Sequence, residues 1–186
     1  MRDLRDLLPV EGEHVRLRAL AEKDADAYAL GTKDPAVREF GHLPEPDYTP
    51  ELVRELAGTV VVDGLRKGEL AVLTIADRAT DAFHGSLVIF DVTEHDAEVG
   101  FWLAPQARGR GLAREALALA ARLAAQAGWR SLRAVTSLAN TASARTLAGA
   151  GFTPIGDPGP MRAPSGAQLT AQRYELRIAD HHAARA

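Results

Sequence analysis

The segment DAEVGFWL places one acid, Glu98, directly before the apolar run 99–103. Partial burial of a carboxylate on such a strand raises its pKa and suits it to accept a proton from a reacting group. Strand alternation puts Glu98, Gly100 and Trp102 on one face and Val99, Phe101 and Leu103 on the other. A strand-end carboxylate paired with an arginine is the competing reading. A second group is PQARGRGLAREAL, residues 105–117. Gly109 and Gly111 lead into a helix-forming segment with Arg108, Arg110 and Arg114 around its start. No Ser, Thr, Asp or Asn caps that helix, and positive charge stands where the helix dipole favours negative charge. An anion held by the free backbone N–H groups of the turn would account for both features. A plain glycine-containing strand-to-helix turn stays open. The third group is Asn140 and Ser143 in ANTASART, where Asn140 reads as a helix N-cap and Ser143 falls in the first turn.

Several chemistries fail on spacing. A P-loop needs Lys and then Ser or Thr after its second glycine, and Leu112 and Ala113 follow Gly111. A dinucleotide fingerprint needs Gly or Ala where Arg114 stands, with an acid roughly 20 residues on, and WRSLRAVTSLAN has none. The chain has no cysteine, so disulfides, thiolate metal sites and a cysteine nucleophile are excluded. No Ser/His pairing has a recognisable spacing, which argues against a covalent acyl-enzyme. His181 and His182 are adjacent and do not share a helix face, so they make a poor metal pair.

The elements that must hold these groups follow from periodicity. HVRLRAL alternates as a strand, and AEKDADAYALG reads as a helix stopped by Gly31. Residues 34–50 contain four prolines and are expected as loops and short turns. TPELVRELAG starts a helix with Thr49 as cap, Pro50 first, Glu51 in the first turn and Leu52, Val53 and Leu56 facing inward. Strands are expected at 69–77, 84–92 and 97–104, with Gly100 hinting at a bulge or a close backbone approach. A helix over 110–127 buries Leu112, Ala116, Leu119, Leu123 and Ala127. A strand at 131–138, a helix at 140–150, a short strand at FTPI and a last strand at 169–178 complete the order. This is an α/β chain with a mixed, largely antiparallel central sheet flanked by helices on both faces.

The 186 residues suit one domain, with a core over 10–178 and a small polar tail. A formal net charge of −3 argues against a general nucleic-acid binder. Acids at Asp3, Asp6, Glu11 and Glu13 break any signal-peptide run, and no window approaches a membrane span. A cytoplasmic protein is expected. Segment 39–69 holds Glu39, Glu45, Asp47, Glu51, Glu55, Asp63 and Glu69 against Arg54, Arg66 and Lys67. It suits a cationic partner if it borders the site, and is otherwise a solvated acidic face. Phe40 and Tyr48 are candidates for an acceptor pocket or for plain packing.

EVGFWLAPQARGRGLAREAL followed by NTASARTLAGAGFTPIG resembles the GNAT superfamily of acyl-CoA-dependent N-acetyltransferases. The signature Q/R-x-x-G-x-G/A is met by Gln106, Gly109 and Gly111. The branch with ribosomal-protein N-terminal acetyltransferases is the most similar, and VEGEHVRLRALAEKDADAYA and AQRYEL fit it. The resemblance implies a GNAT fold, acetyl-CoA as co-substrate without a metal, and a primary amine as acceptor. With that charge and hydropathy no nucleic-acid or membrane partner is expected, and the chain acts alone or as a homodimer. Backbone N–H groups of Arg108, Gly109, Arg110, Gly111, Leu112 and Ala113 would hold the CoA pyrophosphate. The strand at Phe101, Trp102 and Leu103 would pair with the pantetheine arm, and Asn140 would contact the cofactor. Glu98 matches the strand position where some relatives carry their base. Two departures stand out: Ala148, Gly149 and Ala150 replace a common Glu-Lys-Leu, and Leu147 replaces a Tyr that acts as acid. That leaves Ser143 as the matched candidate for protonating the departing thiolate. A free alkylamine is protonated at neutral pH, with a pKa of about 10.4, so direct attack needs a base. A non-catalytic acyl-CoA-binding module and a nucleotide-binding interaction domain are the alternatives from other classes.

Overall fold

The structure is a computed structural model, and it describes residues 2–41, 43–162 and 168–178. The tail histidines His181 and His182 lie outside the described residues. The first strands are β1 (Val10–Glu11) and β2 (Val15–Ala19), followed by helices α1 (Ala25–Gly31), α2 (Pro35–Phe40), α3 (Pro50–Gly58) and α4 (Val60–Lys67). The meander β3 (Ala71–Asp77), β4 (Phe83–Phe90) and β5 (Asp96–Leu103) comes next. Then come α5 (Leu112–Ala127), β6 (Ser131–Ser137), α6 (Thr141–Gly149), β7 (Thr153–Arg162) and β8 (Gln168–Arg177). The strands form one sheet in the order β1-β2-β3-β4-β5-β6-β8-β7. Every neighbouring pair is antiparallel except β5 and β6. This is the mixed, largely antiparallel sheet that the element order called for.

α5 packs on β1, β2, β5 and β6, while α1 and α4 pack on β4 and β3 from the other side. The predicted stripe of α5 is buried at Leu112, Ala116, Leu119 and Leu123, and Ala127 packs at its edge. Beneath it Ala71, Leu73, Ile75, Leu87 and Ile89 are fully sealed. Burial of such side chains stabilises the fold by roughly 1.5–3 kcal/mol each relative to exposure. On the other side Asp24, itself buried, accepts two hydrogen bonds from Arg18, at 2.6 and 2.8 Å, and one from Thr74 at 2.9 Å. That network ties the turn before α1 to β2 and β3.

Local chemistry corrects five expectations. Residues 34–50 are not all loop. Asp34 accepts from the Val37 N–H at 3.1 Å and Pro35 takes the first helical position, so α2 forms there. The helix expected from residue 21 begins at Ala25, after a 3-10 turn at Glu22–Asp24. α5 begins at Leu112 and not at 110, because Gly109 and Gly111 have φ of 73° and 78°, which cannot continue a right-handed helix. The short strand at FTPI extends to Arg162, since β8 pairs it on both sides of a register shift between Ile155 and Gly159. Gly100 makes no bulge with β4: the register runs unbroken from Glu98 opposite Phe90 to Leu103 opposite Gly85.

Candidate functional site

The parallel pairing of β5 with β6 covers Asp96–Glu98 against 131–133 and goes no further. Beyond it the strands diverge. The β6-facing backbone edge of β5 from Val99 onward is not claimed by the sheet. Into the gap opens a cleft of about 600 Å³, lined by the Val99–Leu103 stretch, the glycine turn, the first turn of α5 and the start of α6.

At the turn, Gly111 is the N-cap of α5 and offers no side-chain cap. A Cβ at Gly109 or Gly111 would meet nothing within 4 Å, so the space over both residues is open to a ligand. The backbone donors of the first turn of a 16-residue helix therefore point at an open concavity. The arginine puzzle has a partly internal answer. Arg108 donates to Asp34 Oδ1 at 2.6 Å and to the Leu103 carbonyl at 3.1 Å. Its guanidinium holds the Asp34 carboxyl below the usual range. Arg108 thus bolts α2 against β5 as a wall of the cleft. Glu115, the acid of α5's first turn, is committed to the β1–β2 turn, accepting from the His14 and Val15 N–H groups at 2.8 and 3.2 Å.

At α6, Asn140 Oδ1 accepts from the Ser143 N–H at 3.0 Å. The N-cap reading of Asn140 holds, and both residues also line the cleft. The cleft gathers Phe101, Trp102, Leu103, Arg108, Gly109, Gly111, Leu112, Ala113, Asn140 and Ser143. Glu98, Gln106 and Arg110 are outside its lining. Glu98 is partly buried opposite Phe90 and Arg133 in the neighbouring strands. Burial raises its carboxyl above the ordinary value, while the Arg133 charge pulls the other way. Arg133 does not close on Glu98. It is bonded to Asp91 and Asp96, at 3.0 Å each. The strand-end ion pair expected as the competing reading therefore involves Asp96, and Glu98 is left as the raised acid.

Residues 14–153 match the Acetyltransferase (GNAT) domain family. The chain belongs to the GNAT acetyltransferase family. It is an acetyl-CoA-dependent N-acetyltransferase. No curated protein matches its sequence. Among solved structures, the acetyltransferase is similar to ribosomal-protein-S5-alanine acetyltransferase from Vibrio fischeri, with a TM-score of 0.78 and 20% identity over 93% of this chain and 98% of that one. It is also similar to Mycobacterium smegmatis RimJ in complex with CoA-disulfide, with a TM-score of 0.75 and 21% identity over 90% of this chain and 84% of that one. Spermidine N-acetyltransferase from Vibrio cholerae, in complex with CoA and spermine, gives 0.76 and 16% over 91% and 98%. Among the described residues no helix is long and apolar enough to cross a membrane.

Sequence reading named Phe40 as a pocket candidate but missed the α2 wall that it makes with Ala36 and Val37 in the acetyltransferase's cleft. Asp34-Pro35 is a cap and first-position signature that would have found it. The acids of segment 39–69 are all exposed, and Arg54 and Arg66 are bound to acids at the surface. The solvated-face reading describes that segment.

Proposed function

We propose that the donor occupies the β5–α5–α6 cleft and that the acceptor is a primary amine, attacked directly in a ternary complex. The observation that carries this reading is the meeting, in one cleft, of an uncapped helix start, two left-handed glycines and an unclaimed strand edge. Together they offer backbone donors with no side chain in the way, which suits a pyrophosphate and an extended amide-bearing arm. The N–H groups of 109–113 would hold the pyrophosphate, since the Arg108 N–H is already given to the Pro105 carbonyl at 3.3 Å. Phe101 and Leu103 would take the arm by their backbone, since the ladder turns the Trp102 backbone toward β4. The Leu103 carbonyl already accepts from Arg108, so the Leu103 N–H is the group left for the arm. Asn140 orders the start of α6 beside the cleft. Bound acetyl-CoA supplies a thioester carbonyl to the amine.

Glu98 serves as the base. Its raised pKa lets it take a proton from an alkylammonium, and because it stands outside the cleft lining it acts through water. As the C–N bond forms and the C–S bond breaks, the remaining surplus amine proton passes to water, and Ser143 Oγ protonates the thiolate and is reprotonated from water. The test is a Glu98→Gln variant assayed for thiol release across pH, alongside calorimetry with CoA. Retained CoA binding with lost turnover and a lost acidic limb is expected. An unchanged acidic limb would place the base elsewhere.

A further inference from the structure

The two faces of the sheet are covered unequally. On the α5 face the central residues are sealed, whereas on the opposite face Val72, Val88 and Phe90 stay partly exposed. These three are neighbours in the register: Val72 pairs with Val88, Val88 with Gly100, and Phe90 with Glu98. Apolar side chains left open in mid-sheet forgo the stabilisation that burial would bring. They floor a second cavity of about 270 Å³, whose mouth is formed by the exposed Pro44, Glu45 and Val60. The cavity shares Gly100, Phe101 and Trp102 with the donor cleft, so the two meet across β5. Gly100 brings no side chain to that partition.

The polar atoms of its wall are already engaged. Ser86 Oγ donates to the Leu73 carbonyl at 3.0 Å, and Tyr48 Oη accepts from the Glu45 N–H at 3.4 Å. Ser86 and Trp102 stand beside the Tyr28 hydroxyl, whose burial pushes its pKa up. The rings of Tyr28 and Trp102 pack edge to face at 5.2 Å and are nearly fully buried, so they present little π surface to a cation. Of the acids in segment 39–69, Glu45 alone reaches the cavity, and it does so at the mouth. A polycation would be desolvated here without a partner.

Resting on the acetyl-transfer reading above, we infer that the acceptor is a primary amine carrying a compact, uncharged apolar substituent. The substituent fills this pocket while the amino group faces Gly100 and the donor cleft. A cavity of 270 Å³ is slightly below the range of roughly 300–1,000 Å³ for drug-sized ligands, which fits a short alkyl chain or one aromatic ring.

The experiment measures kcat/KM for acetyl-CoA-dependent acetylation of propylamine, pentylamine, heptylamine and 2-phenylethylamine. Diamines of the same lengths, spermidine and a peptide with a polar amino-terminal residue are assayed beside them, and CoA binding is followed by calorimetry. We expect a rise of about fourfold per methylene until the pocket is full, and rates on the diamines at least tenfold lower. Val88→Phe should move the optimum to shorter chains and Val88→Ala to longer ones, with circular dichroism confirming that each variant is folded. Rates independent of chain length, or a preference for spermidine or the polar peptide, would overturn the inference and leave acetyl transfer standing. Folded Val88 variants with wild-type chain-length profiles would overturn it as well. Failure to bind CoA and to acetylate any amine would overturn the transferase reading itself.

Discussion

The two cavities that meet at β5 are built from different materials. The larger cleft is made mainly of backbone: a strand edge, two glycines with positive φ and an uncapped helix start. The smaller is made of side chains, with Tyr28, Tyr48 and Val53 over Val72, Val88 and Phe90. Backbone recognises what every donor of one class shares, and it leaves little for neighbouring side chains to alter. Side chains set volume and polarity, and so discriminate among acceptors. Substitutions that insert a side chain on the first side should abolish a shared function, whereas those that resize the second should redirect it.

Glu98, two residues before the shared Gly100 on β5, gives the largest expected effect. Glu98→Gln keeps the shape and removes the basicity, and kcat/KM should fall by about 10²-fold or more. In the wild type, activity should fall as pH drops through the raised pKa of Glu98, and this limb should vanish in the variant. The sign for stability is opposite to that for activity. A carboxyl whose folded pKa is raised contributes stability present below its unfolded pKa and lost as pH rises through the folded one. Glu98→Gln should therefore unfold at a higher temperature than wild type at pH 7, with the gap closing under acid conditions. Thermal melts at both pH values check this.

Next in size is the turn. Gly111→Val should weaken CoA binding by about tenfold or more, roughly 1.4 kcal/mol, measured by calorimetry. Positive φ also strains a β-branched residue, by roughly 1–2 kcal/mol, so a control is needed. Gly128 ends the same helix with φ of 88° and has open space at its Cβ, but it lies outside the cleft lining. Gly128→Val should lose comparable stability and keep CoA affinity. Equal losses of affinity in both variants would mean that strain, not occupation of the cradle, is being measured.

A smaller effect is expected where α2 joins the donor side. Asp34 both caps α2 and receives Arg108. Asp34→Ala should cost about 1 kcal/mol through the lost cap, with little added by the exposed ion pair. CoA affinity should drop a few-fold as the wall loosens. Arg108→Ala leaves the cap in place, so a larger melting shift in Asp34→Ala than in Arg108→Ala separates the two roles.

The same division explains what could be read from the chain. The backbone-built cleft was legible because its requirements are local: Gly109 and Gly111 at fixed spacing, a helix stripe behind them, and Asn140 three residues ahead of Ser143. The mixed, largely antiparallel sense of the sheet followed from period and element order, but the place of β8 between β6 and β7 did not. The acceptor pocket was not legible. Its walls come from residues 20 to 102; Tyr48 was a candidate for it, but most of the others read alone as ordinary core, and only the register shows Val72, Val88 and Phe90 to be adjacent. Segment 39–69 left two readings open for a related reason. Charge counted along a sequence carries no direction, and these acids face solvent.

The weakest and most diagnostic prediction concerns Ser143. It occupies the first turn of α6, where its backbone N–H is satisfied by Asn140, so the cap does not depend on its hydroxyl. Ser143→Ala should leave the melting temperature and CoA affinity nearly unchanged. A thiol of pKa about 8.5 is already a fair leaving group, so proton donation to it is worth only a modest factor, and kcat should fall about three- to tenfold. The loss should be confined to the chemical step and should be the same for short and long amine acceptors, since Ser143 lines the donor cleft and not the apolar pocket. A loss that varied with acceptor size would tie Ser143 to acceptor binding. Equal kcat in both proteins, with pre-steady-state thiol release showing that chemistry is rate-limiting, would remove the acid from the mechanism and leave solvent to protonate the thiolate.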